Sequence, residues 1–202
     1  MIWFGALHSH QAAKPNPQMI IDSKMTREEA IGKNHFPKRF LDRMVVVTIT
    51  YNGFDHIRHQ GQIVVDQSVS DDVRKIFAEI ERTGYPITKV VPIVAYGWDD
   101  DASIADNNTS AFNYRQVIGP GQRTDKLSNH SYGRAIDLNP KINPFVSKNG
   151  SSPRLYDTKR PGTLTLESQV TQIFLRHGWK WGGLWRNGKD YQHFEKMIGV
   201  NK

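Results

Sequence analysis

The sequence predicts an α+β domain in which a mostly antiparallel sheet is flanked by a few helices. Three observations predict this class. Segments rich in β-branched residues, which are typical of strands, recur along the chain. Two other segments carry apolar residues at helical spacing. Strands and helices do not alternate regularly, as they would in a parallel α/β sheet. The 202 residues are enough for one domain with an N-terminal extension.

A hairpin begins the predicted domain. Residues 45–51 are rich in β-branched side chains and end at Asn52-Gly53, a dipeptide typical of tight hairpin turns. Residues 57–65 supply the returning strand. Residues 1–44 show little periodicity, so they are predicted to form an N-terminal extension of unknown role, and the domain is predicted to cover residues 45–202.

Two helices are predicted from apolar spacing. The first has Gly84 where a helix typically ends, and the second covers about residues 167–177, followed by Gly178. The apolar positions that recur at helical spacing in the first helix are Val69, Val73, Ile76, Phe77 and Ile80.

Three further strands are predicted at residues 89–96, 111–115 and 133–138. Pro92 lies inside the first of them. Proline cannot donate a hydrogen bond to a neighbouring strand, so this strand is predicted to lie at an edge or to contain a bulge.

The composition excludes several classes of protein and site. The chain has no cysteine, so any metal must be held by histidine and carboxylate side chains. The formal net charge of +7 favours polyanionic partners. The charges are scattered, however, and no aromatic-basic or helix-turn-helix motif appears, so no nucleic acid is expected as a partner. No apolar stretch approaches the roughly 18 residues of a transmembrane helix. The oligomeric state is left open.

A histidine and an aspartate seven residues apart form the first candidate functional group. A neutral imidazole and a carboxylate are both good zinc ligands, which makes His130 and Asp137 candidates. A fully extended chain, at about 3.3 Å per residue, would hold them too far apart. A turn at Tyr132-Gly133 is therefore required, and glycine allows it without steric cost.

A second group lies near the C-terminal end of the sequence. His193 could supply a third ligand, and a catalytic zinc site uses three protein ligands and leaves a fourth position for water. Such a site also needs a base that takes a proton from that water. Asp190, three residues before His193, has the carboxylate that this role requires.

These motifs resemble a known family. The pattern His-x-x-Gly-x-Ala-x-Asp from His130, followed by Asp-x-x-His-Phe from Asp190, resembles the zinc D-Ala-D-Ala-type metallopeptidases. That family includes D,D-dipeptidases, D,D-carboxypeptidases and the L-alanyl-D-glutamate endopeptidases of phage lysins and bacterial wall hydrolases. The resemblance extends over about residues 63–194, and the segments 109–115, 135–140 and 178–183 are similar to the endopeptidase-like branch.

The resemblance implies a cofactor and a set of site residues. It implies Zn²⁺ on His130, Asp137 and His193, in a single zinc-peptidase domain of the hedgehog and D,D-peptidase type. It implies that Asp190 is the general base. Many relatives have glutamate there, and the aspartate favours the endopeptidase branch.

Two more positions match residues that contact substrate in the family. Arg115 matches an arginine that commonly contacts the scissile carbonyl. Ser128, two residues before His130, matches a serine that often contacts substrate. Both are therefore candidate site residues, Arg115 as a catalytic residue and Ser128 as a substrate-binding residue.

The predicted function is hydrolysis of peptidoglycan stem peptides by a zinc-activated water, as an L-alanyl-D-glutamate endopeptidase or a D,D- or L,D-carboxypeptidase. The sequence does not decide which bond is cut. The alternative is a non-catalytic, zinc-containing module that binds the cell wall, because the hedgehog signalling domain looks like a relative of that kind. The presence of both Asp190 and Arg115 favours the enzyme.

The expected place of action is the cell envelope or the extracellular space. The first seven residues are largely apolar but lack a basic segment, and the apolar run ends at His8. A secretory signal needs about 7–15 apolar residues and a small-residue cleavage site, so no such signal is predicted. Export by another route and a processed N-terminus both stay open.

Overall fold

The computed structural model describes residues 19–32, 36–119, 122–148 and 156–197. Parts of the predicted N-terminal extension, residues 1–18 and 33–35, lie outside these ranges. Within them, no helix has the length and apolar character needed to cross a membrane. The helices are α1 (Arg27–Ile31), α2 (Lys38–Leu41), α3 (Ser70–Thr83), α4 (Asp100–Ala105) and α5 (Gln169–Arg176). The strands are β1 (Ile20–Ile21), β2 (Met44–Asn52), β3 (Arg58–Asp66), β4 (Lys89–Val90), β5 (Asn108–Thr109), β6 (Gln116–Gly119), β7 (Gln122–Leu127), β8 (Ala135–Asp137), β9 (Phe145–Ser147), β10 (Lys180–Trp181), β11 (Gly188–Asp190) and β12 (His193–Glu195).

The described strands form several small sheets. Two sheets have three strands, in the orders β1-β3-β2 and β10-β12-β8, and the pairs β9-β11, β4-β5 and β6-β7 form the others. The pairs β1-β3 and β4-β5 are parallel, and the remaining pairs are antiparallel. The α+β class is confirmed, although the strands are divided among small sheets where one mostly antiparallel sheet was predicted.

The longest pairing is the hairpin of β2 and β3, which runs from Met44 opposite Asp66 to Asn52 opposite Arg58. The connection differs from the predicted two-residue turn, because residues 53–57 form a loop closed by a hydrogen bond from Gly53 N to Ile57 O at 2.8 Å. Asn52 is still paired in the ladder, and its side chain donates to the carbonyl of Glu81 at 2.7 Å. The Asn-Gly dipeptide therefore marks the place where the strand ends, but does not form the whole turn.

The main core lies between this hairpin and two helices. The apolar face of α3 buries the predicted positions Val73, Ile76, Phe77 and Ile80. The corresponding face of α5 joins the same core, and burial of each large aliphatic or aromatic side chain contributes about 1.5–3 kcal/mol. The first predicted helix ends as expected, with Gly84 in the left-handed conformation at φ 74°.

Two predicted strands are not continuous strands. Of residues 89–96, only Lys89–Val90 is a strand, and Pro92 precedes a 3₁₀ turn at Ile93–Tyr96. Proline removes the N–H that a further ladder bond would need. Residues 111–115 are irregular, and the neighbouring strand is β5. Sequence propensity predicted extended backbone in both regions. Which residues form a strand depends on where a neighbouring strand is available for pairing.

Part of the N-terminal segment packs on the hairpin. Strand β1 pairs with β3 in parallel, and Ala30 of α1 is buried against Met44 and Val64. Next to β1, Asp22 accepts hydrogen bonds from the Tyr51 hydroxyl and from Nδ1 of His59. The division of the chain at residue 45 stays a prediction.

An ion pair between the partly exposed Arg43 and the buried Asp66 lies at the end of the hairpin. The carboxylate of Asp66 accepts from Nε and Nη2 of Arg43 at 2.7 and 2.8 Å and from Ser68 N at 2.9 Å. Burial raises the pKa of Asp66, but the bonds from Arg43 and Ser68 outweigh burial and lower it below its ordinary value.

We expect Asp66→Asn to lower the free energy of unfolding by about 2 kcal/mol at pH 7, the scale of hydrogen bonds to a charged group with a partly exposed partner. A carboxylate whose pKa is lower in the folded state stabilises the fold when the pH is above its pKa in the unfolded state, about 3.9. This stabilisation is lost as the pH falls through the pKa of the folded state. Urea denaturation of parent and variant should therefore show the difference narrowing below about pH 4. A difference that is the same at pH 7 and pH 3 would contradict an electrostatic role.

Candidate metal and catalytic site

Three elements bring the predicted metal ligands together. His130 lies in a 3₁₀ turn, Asn129–Tyr132, and Asp137 ends β8. His193 begins β12, where the antiparallel register places it opposite Asp137. Gly133 ends the 3₁₀ turn at φ 62°, and a Cβ there would stand 2.5 Å from the backbone nitrogen of Asp66. The chain therefore turns at the position that the spacing requires, and only glycine fits there.

The ligand atoms of His130, Asp137 and His193 all lie within 4.8 Å of one another. Nε2 of His130 is 3.2 Å from Oδ2 of Asp137 and 3.2 Å from Nδ1 of His193. Nδ1 of His193 is 3.0 Å from Oδ1 of Asp137. All three residues are buried. The structure thus places three potential ligand atoms around one point.

The outer nitrogens of both imidazoles have acceptors of their own. Nδ1 of His130 donates to the carbonyl of Ala111 at 2.6 Å. Nε2 of His193 lies 3.4 Å from the carboxylate of Glu195, which also accepts from the amide of Asn129. When each outer nitrogen carries the proton, the inner nitrogen of a neutral imidazole is an acceptor. Backbone carbonyls and carboxylates in these positions orient metal-binding histidines in proteins.

The donor set fits a divalent metal ion such as zinc. Two inward-facing imidazole nitrogens and one carboxylate are all acceptors, so they cannot satisfy one another by hydrogen bonding while both imidazoles are neutral. A cation at the centre resolves this conflict. Two nitrogen ligands and one oxygen ligand are also a common protein contribution to catalytic zinc sites.

Protons are expected to compete with the metal for the same electron pairs. Burial lowers the pKa of His193, but hydrogen bonds with Asp137 and Glu195 outweigh it and raise this pKa to about 10. Burial raises the pKa of Asp137, yet the neighbouring His130 and His193 hold it far below its ordinary value. Metal binding should therefore release a proton and weaken as the pH falls.

Asp190 lies beside this group on β11, at the end of the pairing with β9. Its Oδ1 is buried and has no hydrogen-bond partner among the described residues. Burial, and then the charge of Asp137, raise the pKa of Asp190 to about 7, against the opposing effects of His193 and Arg115. A carboxylate with a pKa near neutrality can both accept and return a proton efficiently at neutral pH.

Gly182 allows this close arrangement, and sequence reasoning missed its role. A Cβ at Gly182 would lie 2.9 Å from the Cβ of Asp190 and 3.2 Å from the Cβ of His193. Any side chain would therefore displace both residues. The sequence shows Gly182 as part of the dipeptide Gly182-Gly183. No local sequence rule, however, predicts that a glycine makes room for two side chains further along the chain.

Arg115 is attached to the turn that carries His130. Its backbone nitrogen donates to the hydroxyl of Ser131 at 2.9 Å, and Asn113 N donates to the carbonyl of His130 at 3.2 Å. The guanidinium forms an ion pair with Asp100, with Nε 3.1 Å from Oδ2. Both side chains border a cavity of about 330 Å³. The structure therefore brings Arg115 near enough to Asp190 to influence its pKa.

Ser128 has a clear structural role at the start of the 3₁₀ turn. It is the N-cap residue, its hydroxyl accepts from the backbone nitrogen of His130 at 3.3 Å, and it is buried. Its own backbone nitrogen donates to the carbonyl of Arg115 at 3.0 Å. These bonds fix the turn that presents His130, and a contact between Ser128 and substrate stays a prediction.

Three more contributors were missed at the level of sequence. The carbonyl of Ala111 accepts from His130, and the amide of Asn129 donates to the carboxylate of Glu195, which faces His193. Asp100 forms an ion pair with Arg115. A backbone carbonyl leaves no signature in a sequence. Asp100 belongs to the run Asp99-Asp100-Asp101, whose pattern indicates only a polar loop.

Residues 122–196 match the model of a protein family described as D-alanyl-D-alanine carboxypeptidase. The resemblance inferred from the motifs is confirmed over this segment, which supports a peptidase. The matched segment contains His130, Asp137, Asp190 and His193, whereas Arg115 lies outside it. It is also shorter than the region 63–194 to which the motifs extended the resemblance. No solved structure matches the chain.

Proposed function

We propose that this chain is a zinc-dependent peptidase that hydrolyses peptidoglycan stem peptides, with Asp190 as the general base. One observation carries the proposal. Three buried acceptor atoms, on His130, Asp137 and His193, lie within 4.8 Å of one another, and near them Asp190 has a buried carboxylate oxygen with no hydrogen-bond partner in the described ranges of the chain. All four residues lie in the segment that matches the peptidase family.

His130, Asp137 and His193 would hold the zinc. When bound there, zinc would supply a Lewis acid, which lowers the pKa of water and polarises a carbonyl group. Three protein ligands leave room for water or substrate, as catalytic sites require. The contacts of His130 with Ala111 and of His193 with Glu195 fix both rings in the orientation that this role needs.

Asp190 would move the proton. As the oxygen of the attacking water bonds to the carbonyl carbon, one carboxylate oxygen of Asp190 takes a proton from that water. Asp190 then gives this proton to the departing amine nitrogen as the carbon–nitrogen bond breaks. Oδ1 is buried without another partner, so no competing hydrogen bond has to be broken first. Burial raises the pKa of Asp190 above its ordinary value, which makes the carboxylate a stronger base for the first transfer.

Arg115 would stabilise the oxyanion that develops on the substrate carbonyl. Its Nε forms an ion pair with Asp100. A guanidinium also carries two terminal nitrogens, which would donate to a substrate oxygen. A charged donor aimed at a developing oxyanion in a site with little water stabilises the transition state more than the ground state. The net charge of +7 would also favour association with an anionic wall polymer.

The direct test is digestion of purified cell wall, followed by mass spectrometry of the soluble fragments. We expect peptide-bond cleavage, with new D-glutamate amino ends if the chain is an L-alanyl-D-glutamate endopeptidase. Release of free D-alanine would assign a carboxypeptidase instead. The protein with His193→Ala, at equal concentration, controls for contaminating hydrolases. A parent protein that binds wall and zinc but cuts no wall peptide would favour the non-catalytic wall-binding module.

A further inference from the structure

Asp100 makes contacts with two side chains that lie at the edge of the candidate site. Its Oδ2 is 3.1 Å from Nε of Arg115, and its Oδ1 accepts from the amide of Asn113 at 3.2 Å. Both members of the ion pair are largely buried, with side-chain exposures of 25% for Asp100 and 18% for Arg115. Nε of Arg115 is buried and makes no hydrogen bond within the described part of the chain, so Asp100 contacts the guanidinium as an ion pair and not through a directed hydrogen bond.

Asn113 connects this pair to the metal-binding turn. Its side chain holds Asp100, while its backbone nitrogen donates to the carbonyl of His130. Arg115, two residues further on, is tied to Ser131 of the same turn through both its N–H and its carbonyl. The position of Asp100 is therefore linked to that of His130 by short hydrogen-bonded steps.

We propose that Asp100 is a positioning residue, whose ion pair with Arg115 keeps the guanidinium at the edge of the candidate site, where it can reach the substrate carbonyl. This inference rests on the proposed function. It adds a residue outside the segment that matches the peptidase family and outside the set of residues that the motifs identified.

A free Arg115 would have an alternative partner. Arginine has many rotamers, and its planar guanidinium contributes most when its direction is fixed in advance. The buried carboxylate of Asp190 has an oxygen without a hydrogen-bond partner and attracts the charge of Arg115. An ion pair between Arg115 and Asp190 would remove the oxyanion donor. Asp100 would prevent this by competing for the charge of Arg115.

The N-terminal cap of helix α4 does not depend on Asp100. Helix α4 begins at Asp100, but its N-cap is Asp99, whose side chain accepts from the backbone nitrogen of Ala102 at 3.1 Å. Asparagine at position 100 would have almost the same volume and could still accept from Asn113. The substitution Asp100→Asn therefore removes the charge facing Arg115 and leaves the cap of α4 intact.

The test is a double-substitution cycle on wall peptides. We expect Asp100→Asn to lower kcat by roughly 10- to 100-fold, as misplacement of a catalytic group does, with little change in KM, zinc content or Tm. In the Arg115→Ala protein, the same substitution should lower kcat by less than about twofold, because no guanidinium remains to be positioned. Asp100→Glu should recover part of the rate. Asp101→Asn, at an exposed neighbouring position, is the matched control and should behave like the parent.

A second readout does not depend on activity. The Nε–H signal of Arg115 in nitrogen-15 relaxation measurements should be rigid in the parent and in Asp101→Asn, and mobile in Asp100→Asn. Equal rigidity in all three proteins would overturn the proposal. So would an equal loss of kcat in the presence and absence of Arg115, or a loss of zinc or Tm on Asp100→Asn. A parent that cuts no wall peptide would refute the proposed function, while the relaxation measurement would still decide whether Asp100 holds Arg115.

Discussion

Asp190→Asn should lower the rate of wall-peptide cleavage by about 10²–10⁴-fold, the range that follows loss of a general acid–base group. Asparagine keeps the volume of the side chain but cannot accept the proton from the attacking water. Zinc content should stay close to that of the parent because the three ligands are untouched. Thermal stability should also be retained, since the variant removes a buried carboxylate with an unpartnered oxygen and burying such a charge is costly.

Cleavage rate, zinc content and Tm should be measured on the same preparations of parent and variant. Asp125→Asn is a matched control, because Asp125 is an exposed carboxylate on β7 and should leave all three quantities unchanged. Loss of zinc from the Asp190 variant would make Asp190 a ligand. Full cleavage with zinc retained would require another base, and Glu195, the nearest carboxylate along the chain, would be tested next.

Removal of the metal should abolish cleavage and lower the thermal stability of the protein. We expect about one zinc ion per chain to co-purify and to be lost on chelation, because the three ligand atoms form one site. A ligand that binds only the folded state raises the free energy of unfolding by about 4 kcal/mol when its concentration is 1,000 times its Kd. Metal analysis, activity and Tm before and after chelation, and again after zinc is restored, measure this effect.

Substitution of a ligand should have the same consequence without a chelator. His130→Ala and His193→Ala should each lose zinc and cleavage together. The matched control is His177→Ala, because His177 also bonds to a carboxylate, that of Glu79 at 2.8 Å, but lies outside the three-residue group. Parent protein without zinc, together with full activity in both ligand variants, would refute the assignment of the metal site and the proposed function.

The sequence by itself determined the elements whose signals are local. Helix α3 was predictable because its apolar positions repeat at the helical period and Gly84 ends it without a Cβ clash in the left-handed conformation. The three candidate ligands were predictable for a different reason. The chemistry of zinc requires histidine and carboxylate in a chain without cysteine, and the resemblance carried by the motifs indicated which ones.

Only the tertiary structure decided the features that depend on contacts between distant parts of the chain. Residues 89–96 have strand propensity, but β4 pairs only through Lys89–Val90 because Pro92 removes a donor and no partner continues. Asn139 is similar. The sequence gives no reason to expect that its side chain is buried and bonds to Thr88 N and to the carbonyl of Pro86. Such bonds exist only once separate segments have been packed together.

Some features of the candidate site could likewise be predicted from the sequence, and others depend on the tertiary structure. Residue types and spacing indicated His130, Asp137, Asp190 and His193, because each role needs one particular functional group. The pKa of Asp190 depends on burial. The orientation of His130 depends on a backbone carbonyl, and that of His193 on the carboxylate of Glu195. The ion pair of Arg115 depends on Asp100, at the start of helix α4. Burial and electrostatic fields are sums over neighbours in space, so the packed fold determines them and the order of residues along the chain does not.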